Sequence, residues 1–363
     1  MEYINTFLNL SAFTEAKPNL PNPSLSLIEN TNQVYYIKKQ LIKVTLNMSE
    51  EYSNKELPLG GFEYNRKGSA VDEIINSINQ VVFPKELCED VIIDGVSVGP
   101  INTYTFTAGK HIVEYAMKDE TKVVDTQFFD FDILGIESVE IPDSVTSIGD
   151  NAFVGCSGLT AFKLPIDITS IGYGAFVGCS GLKTVDLTSY SKLTSIGDGA
   201  FAGCTGLTSI TIPDSVTSIG SEAFTYCTGL TSITIPDSVT SIGSEAFTDC
   251  TGLTAFKLPI DITSIGSGAF AGCSGLKTVD LTSYSKLTSI GDSAFKDCTG
   301  LTSITIPERI TLIGSYTFDS CSSLTEVTYK GKIYTSKREL LNDLRSNNVE
   351  TGSYAFDNTG LGV

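Results

Sequence analysis

The most conspicuous reactive side chains are cysteines, and eight of the nine recur in the phrase Phe-x-x-Cys. They follow one another at intervals of 23 or 25 residues, as Cys156, Cys179, Cys204, Cys227, Cys250, Cys273, Cys298 and Cys321. If each marks one coil of a stack, parallel side chains keep neighbouring Cβ atoms ~5 Å apart, outside the ~3.5–4.5 Å of a disulfide. A linear row of thiols also fails to surround a tetrahedral zinc ion. The spacing therefore predicts reduced cysteines buried in a core.

Few other residues offer chemistry, because the chain has one His and no Trp. Pairing Cys88 with His111 as nucleophile and base has no flanking motif behind it, and a packed cysteine and a strand histidine are the simpler interpretation. Asp214 and Asp237 take the same place in successive repeats and could hold a calcium ion, but two ligands make a weak site and both residues also suit turns. No nucleotide, zinc or hydrolase motif is present. We therefore expect no catalytic residues, no metal and no cofactor.

Charge and hydropathy restrict the partners. Lys+Arg number 24 and Asp+Glu 42, so the net charge of −18 repels nucleic acid and anionic lipid. No segment approaches the ~18 apolar residues that a membrane span needs, so we expect no membrane insertion. Residues 1–10 contain no basic residue and have polar interruptions, which predicts that this start is not a secretory leader.

The cysteine phrase belongs to a longer repeat. One unit runs from Leu230 to Gly252, and blocks such as 161–167 and 255–261 also recur 94 residues apart. In Leu-x-x-Ile-x-Ile-Pro the apolar residues alternate, which predicts a strand with one buried face that ends at proline. A second short extended piece ends at glycine, and Ala-Phe-x-x-Cys has the spacing of a single helical turn. Since one coil cannot bury these residues alone, the repeat predicts a mainly β parallel solenoid.

These residues resemble the BspA-type leucine-rich repeats, also called the Treponema pallidum type, whose pattern is close to LxxIxIPxxVxxIGxxAFxxC. The resemblance covers roughly residues 138–328, and Gly352–Phe356 forms a degenerate ninth turn without the cysteine. It implies a curved solenoid with a role in recognition or adhesion and no enzyme activity. Such repeats occur on surface proteins of gut and oral bacteria, in protists, and in phages of gut bacteria.

The predicted organisation has four parts. They are an extended, proline-containing arm at 1–30, a β-rich domain at 31–135, the solenoid at 136–328, and a C-terminal cap with the ninth repeat at 329–363. Within the second part we predict strands at 34–46, 91–95 and 104–115 and a helix at 69–78. A helix beginning at Ser336, with Glu339 completing a capping box, is expected to cover the last coil, although it could instead bind a partner.

The candidate binding face consists of outward strand positions and two tyrosines in the longer repeats. Its residues are Lys163, Asp186, Tyr190, Thr211, Thr234, Lys257, Asp280, Tyr284 and Thr305. Lys163 is expected to pair with Glu140 and Asp186, and Lys257 with Asp280. The tyrosines are expected to supply aromatic anchors at the rim. The face is either a polar binding surface or only a well-formed sheet.

The function expected from these features is structural or recognition work without catalysis. The main interpretation is a phage virion component, such as a fibre, decoration or host-contact protein, because a surface-type repeat follows a start without a leader. The alternative is a surface adhesin of a gut bacterium or protist. In both, the N-terminal domain attaches to protein partners in a larger assembly, and the solenoid contacts a host-surface protein or glycan. A hydrolase hidden in the N-terminal domain is a third class without a supporting motif.

Overall fold

The computed structural model describes residues 25–30, 33–38, 41–48, 56–58, 88–98, 103–105, 109–117, 123–124 and 135–362. The fold is mainly β: a parallel solenoid, a small antiparallel sheet on its N-terminal side, and one short helix near the C-terminus. The N-terminal strands are β1 (Leu25–Asn30), β2 (Gln33–Lys38), β3 (Leu41–Met48), β4 (Glu56–Pro58), β5 (Cys88–Ile93), β6 (Val96–Ser97), β7 (Thr103–Thr105), β8 (Gly109–Met117) and β9 (Val123–Val124).

Each coil of the solenoid has a long and a short strand, and we number coils 1–8 by their Phe-x-x-Cys phrases. The long strands are β10 (Ile136–Glu140), β12 (Ala161–Lys163), β14 (Thr184–Asp186), β16 (Ser209–Thr211), β18 (Ser232–Thr234), β20 (Ala255–Lys257), β22 (Thr278–Asp280), β24 (Ser303–Ile306) and, in the ninth coil, β26 (Glu326–Tyr329). The short strands are β11 (Ser147–Ile148), β13 (Ser170–Ile171), β15 (Ser195–Ile196), β17 (Ser218–Ile219), β19 (Ser241–Ile242), β21 (Ser264–Ile265), β23 (Ser289–Ile290), β25 (Leu312–Ile313) and β28 (Glu350–Thr351). The ninth coil also holds β27 (Lys332–Tyr334) and the helix α1 (Lys337–Ser346).

Coil 5 shows how the sequence produces one turn of the solenoid. Leu230, Ile233 and Ile235 point inward and are buried, while the residues between the two isoleucines and before them are exposed. Pro236 follows the long strand and cannot donate a further ladder hydrogen bond, so the chain turns there. The alternation predicted from the sequence is confirmed in the parallel coils.

The side of each coil that carries Ala-Phe-x-x-Cys is built from tight turns, so the expected helical turn is wrong. The residues before the alanine and before the cysteine have positive φ, as Glu222 (56°) and Tyr226 (59°) show in coil 4. A left-handed residue on each side of the Ala-Phe pair prevents the chain from continuing as an α-helix. In coil 3 glycines fill both places, where this conformation is accessible without strain.

Two columns of identical side chains join the coils inside the core. The phenylalanine rings of successive coils stack with centroids 5.0–5.6 Å apart. From coil 2 onward, each cysteine Sγ–H donates to the carbonyl of the phenylalanine in the preceding coil at 3.0–3.2 Å. This hydrogen bond satisfies the thiol inside an apolar core, which accounts for a cysteine rather than a purely apolar residue at this place.

Threonine hydroxyls connect the coils at the surface. Thr169, Thr194, Thr217 and Thr240 each donate a side-chain hydrogen bond to the threonine carbonyl of the preceding coil, at 2.9–3.3 Å. A second row of threonines, before the long strands, donates in the same way. The recurring Thr-Ser dipeptides therefore link neighbouring coils.

An antiparallel sheet meets the first coil. Its strand order continues the long strands as β12-β10-β3-β8-β5-β6, and β3 pairs antiparallel with β10. An antiparallel strand at this position covers the edge that the first coil would otherwise expose. The predicted strands of this region correspond to β2, β3, β5, β7 and β8, with a turn at Asp94–Gly95. The part of the arm before residue 25 and the helix at 69–78 lie outside the described residues, and the four-part division stays a prediction.

The C-terminal end is closed in a similar way. β27 pairs antiparallel with β26, and α1 buries Leu340 and Leu344 in the solenoid core. The expected capping box is wrong, because the Ser336 side chain makes no cap hydrogen bond. Instead the backbone N–H of Lys337 donates to the carbonyl of Gly362 at 2.9 Å, which ties the start of the helix to the end of the described chain.

The ladder of short strands is interrupted once in residues 135–362, between β19 and β21. At the other junctions the N–H groups before and after the short strand donate hydrogen bonds to backbone carbonyls of the preceding coil. Those of Thr169 and Gly172 are examples. The matching N–H groups of Thr263 and Gly266 have no acceptor there. We call this interruption between coils 5 and 6 the seam.

The amide hydrogens of Thr263 and Gly266 should exchange with solvent faster than those of Thr169 and Gly172, by about ten- to a hundredfold, because they lack the ladder hydrogen bonds. The two pairs lie 94 residues apart in duplicated sequence, so each residue has its own control. Hydrogen exchange followed by NMR measures the rates, and equal protection would contradict a seam at this junction.

The seam also lacks a carboxylate that the junctions after coils 1, 3 and 7 have. In coil 1 Asp150 accepts the N–H of Tyr173 in the next coil at 2.9 Å, whereas the corresponding residue of coil 5 is Ser244. Ser244→Asp should therefore slow the exchange of the Ser267 amide hydrogen, which corresponds to that of Tyr173.

Candidate interaction surface

The outward side chains of the long strands form one exposed polar face. Lys163 pairs with Glu140, with Nζ 2.6 Å from Oε1, and this hydrogen bond raises the pKa of the lysine. The other expected pairs are wrong, because among residues 135–362 no ion pair joins Lys163 to Asp186 or Lys257 to Asp280. The threonines of the face occupy the register positions expected of them, with Thr211 opposite Asp186 and Thr234 opposite Lys257.

The two aspartates bind local hydroxyl groups instead of lysines. Asp186 Oδ1 accepts hydrogen bonds from the backbone and hydroxyl of Thr188, at 3.0 and 2.7 Å, and from the Thr211 hydroxyl at 2.7 Å. Hydrogen bonds from the Thr188 side chain and backbone and from Thr211 lower the pKa of Asp186 to about 2. Asp280 accepts the same pair of bonds from Thr282. Each aspartate thus fixes the turn after its strand.

The long strands part at three junctions. β10 pairs with β12, β14 with β16, β18 with β20 and β22 with β24, but the ladder is interrupted between coils 2 and 3, 4 and 5, and 6 and 7. At the first and third of these gaps the following coil is one of the two 25-residue repeats. These longer coils place their extra residues at the gap.

Tyr190 and Tyr284 fill the gaps and are not rim anchors, which corrects the expectation from the sequence. The Tyr190 hydroxyl accepts the backbone N–H of Leu164 at 3.1 Å, and the Tyr284 hydroxyl accepts that of Leu258 at 3.0 Å. Tyr284 is 7% exposed and Tyr190 is half-buried against the core. Both rings therefore lie between coils, where their hydroxyls replace the missing carbonyl acceptors.

A lysine two residues after each tyrosine completes the connection. Lys192 pairs with Asp167 at 2.7 Å and Lys286 with Asp261 at 2.8 Å, each across the same gap. The phrase Ser-Tyr-Ser-Lys of the longer repeats thus links a coil to the one before it by a phenol and an ammonium group.

Removing one phenol oxygen should leave a buried donor without a partner. We expect Tyr284→Phe to lower the free energy of unfolding by about 1–3 kcal/mol, because the N–H of Leu258 loses its acceptor. Urea unfolding followed by circular dichroism measures the change. Tyr316→Phe is the control, since Tyr316 is 41% exposed. An equal effect of both substitutions would contradict the hydrogen-bonding role.

The gap between coils 4 and 5 has no tyrosine, and it is an open groove of about 580 Å³. Its floor is formed by the small outward residues of β16 and β18, and Thr188 and Lys257 stand at its two sides. The lining residues are Thr188, Ser209, Ile210, Thr211, Ile212, Asp214, Ser232, Thr234, Pro236, Asp237, Ser238 and Lys257.

The groove brings together three of the predicted face residues, Thr211, Thr234 and Lys257. Lys163, Asp186, Asp280 and Thr305 lie on the same face but outside the groove. Sequence reasoning missed Ser209, Ser232 and Ser238, and considered the two aspartates only as metal ligands or turn residues. The available signal was that coils 4 and 5 repeat the phrase Thr-Ser-Ile-Thr-Ile-Pro-Asp-Ser in succession without the longer insertion.

A family profile described as BspA type leucine rich repeat region (6 copies) matches residues 76–206, 122–254, 185–283 and 240–360. Together these matches span well over half of the chain. The chain belongs to this family. The resemblance noted from the repeat phrase is therefore confirmed.

Solved structures similar to this BspA-type protein include a T. pallidum leucine rich repeat protein, with 28% identity, 50% of this chain and 83% of that chain covered, and a TM-score of 0.43. A leucine-rich repeat protein from Bacteroides ovatus has 26% identity, 61% and 75% coverage, and a TM-score of 0.37. A leucine rich cell surface protein from Faecalibacterium prausnitzii has 24% identity, 63% and 86% coverage, and a TM-score of 0.30. No curated protein matches the chain significantly.

The cysteine column of this BspA-type protein has low chemical reactivity. All eight repeat cysteines are free and buried. Burial raises the pKa of the Cys204 and Cys250 thiols to about 12. Since the thiolate is the reactive form, these groups are poor nucleophiles and poor metal ligands at neutral pH.

Native protein should react with a charged disulfide reagent at pH 8 about a thousandfold more slowly at these cysteines than unfolded protein does. The reason is that a pKa near 12 leaves ~10⁻⁴ of a thiol ionised, against roughly 0.1 or more for an exposed cysteine. Reagent absorbance measures the rate, with the protein in urea as control. Rapid modification of several native thiols would contradict the inward column.

His111 takes part in a hairpin contact with Asp94. Its Nδ1 lies 2.8 Å from Asp94 Oδ2, and Asp94 also accepts the backbone N–H of Ile112. Burial opposes ionisation of Asp94, but these hydrogen bonds hold its pKa below the usual value. The Cys88 side chain lies outside the described residues. In the described part of this BspA-type protein, no cluster of three or more His, Cys, Asp or Glu residues could hold a metal ion, and no helix has the length and apolarity to span a membrane.

Proposed function

We propose that the protein is a non-enzymatic recognition protein that binds a partner protein in the groove between coils 4 and 5, as a cell-surface adhesin does. The observation that carries the proposal is the groove itself, which is the place where the long-strand ladder is open and unfilled. Membership of a leucine-rich repeat family, whose repeats suggest protein binding, supports it. Of the two roles expected from the sequence, we take the adhesin, because nothing observed favours the virion component.

The chemistry of the groove suits a polar protein surface. Hydroxyl groups of Ser209, Ser232 and Thr234 line its floor, Lys257 stands on one side, and Asp214 and Asp237 lie at the ends of the strands. These groups can donate and accept hydrogen bonds and pair with charges of both signs. Ile210 and Ile212, which are 5% and 8% exposed, form the apolar part of the groove lining. The other outward residues of the long-strand face form the polar surroundings of the contact.

The proposal is tested by filling the groove. Ser232→Arg places a long side chain on its floor, and Thr251→Arg adds the same side chain at an exposed position on the turn side of coil 5. Fluorescent wild-type protein should bind saturably to intestinal epithelial cells, Ser232→Arg should abolish binding, and Thr251→Arg should retain it. Protease treatment of the cells should remove the binding sites. Equal binding by both variants, or binding that survives protease, would refute the proposal.

A further inference from the structure

The groove contains a backbone N–H group without an acceptor in the described part of the chain. In the neighbouring coils the N–H group at the same register position has one. After the long strand, the N–H groups of Ile141, Leu187, Ile235 and Leu281 donate to a carbonyl of the next coil at 2.8–3.1 Å. Those of Leu164 and Leu258 donate to the hydroxyls of Tyr190 and Tyr284. The N–H of Ile212, in coil 4, has no acceptor among the described residues.

Ile212 is only 8% exposed and lines the groove, so this donor lies at the bottom of an opening and not on a freely solvated loop. Its expected acceptor is the carbonyl of Thr234, because Thr211 occupies the corresponding place and accepts from Leu187. Because the strands are parted here, the Thr234 carbonyl does not accept a hydrogen bond from the Ile212 N–H. A donor and an acceptor therefore face the same gap, and a buried polar group left without a partner is unfavourable.

The sequence explains why this gap is empty. The position of Tyr190 in coil 3 corresponds to Ser238 in coil 5, 48 residues later, and coil 5 lacks the two extra residues of the longer repeats. The Ser238 hydroxyl donates to the carbonyl of Val216 at 2.7 Å, so it does not reach across to Ile212. The gap between coils 4 and 5 therefore corresponds to the gap between coils 2 and 3, but no tyrosine fills it.

We propose that this groove is a slot for a phenol group, occupied by a tyrosine side chain of the partner protein. The inference rests on the proposed function and names the side chain that the groove recognises. The two occupied gaps show that a phenol ring fits between parted long strands and brings its oxygen to the backbone donor. A hydroxyl can also donate a proton to the Thr234 carbonyl, whereas phenylalanine offers neither group. Serine and threonine lack the aromatic ring that fills the two occupied gaps.

The first test uses the wild-type protein and a small probe. In an NMR titration with N-acetyl-L-tyrosinamide, the Ile212 amide should shift and saturate with a dissociation constant in the millimolar range, as a single side chain allows. The amides of Leu164 and Leu258 should not move, since their slots are filled. N-acetyl-L-phenylalaninamide should bind about tenfold more weakly because it lacks the hydrogen-bonding oxygen. An unmoved Ile212 amide, or equal affinity for the two probes, would overturn the phenol slot.

A second arm asks whether a sugar hydroxyl is the true occupant. Methyl glucoside carries hydroxyl groups without an aromatic ring. If it shifts the Ile212 amide more strongly than the tyrosine probe does, the slot recognises a glycan and the inference fails. The inference expects no shift with this sugar.

Peptide selection separates failure of the slot from failure of the proposed function. Displayed random peptides selected on the wild-type protein should contain tyrosine, lose binding to Ser232→Arg and keep binding to Thr251→Arg. Peptides that need the groove but lack tyrosine would overturn the slot and leave the proposed function standing. Peptides indifferent to Ser232→Arg would overturn both.

Discussion

Gly220→Ala should destabilise the solenoid by about 2–3 kcal/mol, as over-packing of a rigid site does. Gly220 follows the short strand β17 and lies directly against the preceding coil. A Cβ atom there would be 2.4 Å from the backbone nitrogen of Asp198 and 2.6 Å from the carbonyl carbon of Gly197. Backbone atoms cannot rotate away, so the two coils would have to separate and stretch the ladder bond from Gly220 to Ile196.

Gly266→Ala is the matched control, because it changes the same repeat position at the seam. A Cβ atom on Gly266 would meet nothing closer than 3.5 Å, which is ordinary van der Waals contact. Since Gly266 does not have a positive φ, alanine should be neutral or stabilise by up to ~1 kcal/mol through the unfolded chain. Urea unfolding of both variants measures the difference. Equal losses would show that coils 5 and 6 pack as closely as the others.

The contrast between these two glycines marks the limit of what the sequence could predict. The repeat phrase sets which residues point inward, so the parallel coils, the buried cysteines and the identity of the family followed from it. The seam did not follow, because the junction of coils 1 and 2 and that of coils 5 and 6 have nearly the same local sequence. Whether a coil approaches its neighbour depends on the summed geometry of the whole stack.

For a similar reason, only part of the candidate site could be predicted from the sequence. Alternation along the strands placed Thr211, Thr234 and Lys257 on the outward face, where the structure has them. It gave no information on which neighbouring strands are hydrogen-bonded, and lateral pairing was therefore assumed at every junction. Tyr190 and Tyr284 were assigned to the rim because they lie in the longer turns of the 25-residue repeats. Their hydroxyls instead satisfy backbone donors in parted strands, a requirement that appears only when the ladder is traced bond by bond.

Phe247→Ala should cost about 3–5 kcal/mol, the range for removing a buried aromatic ring. Phe247 is fully buried, and its ring stacks on Phe224 and Phe270 with centroids 5.4 Å away on each side. The cavity would be bounded by the main chains of coils 4–6. The Sγ–H bonds and the backbone hydrogen bonds from Phe224 to Ala246 and from Phe247 to Ala269 hold these chains in place. The site therefore cannot collapse to refill the space.

In a solenoid each coil contacts only its neighbours, so a weak coil divides the stack. We expect Phe247→Ala to split urea unfolding into two transitions, with coils on one side of the break unfolding before those on the other. Phe256→Ala is the control, because the Phe256 ring also stacks on Phe270, at 4.3 Å, but is only partly buried. It should cost less than half as much and keep a single transition. If the two variants behaved alike, the central column of phenylalanine rings would not be what couples the coils into one cooperative unit.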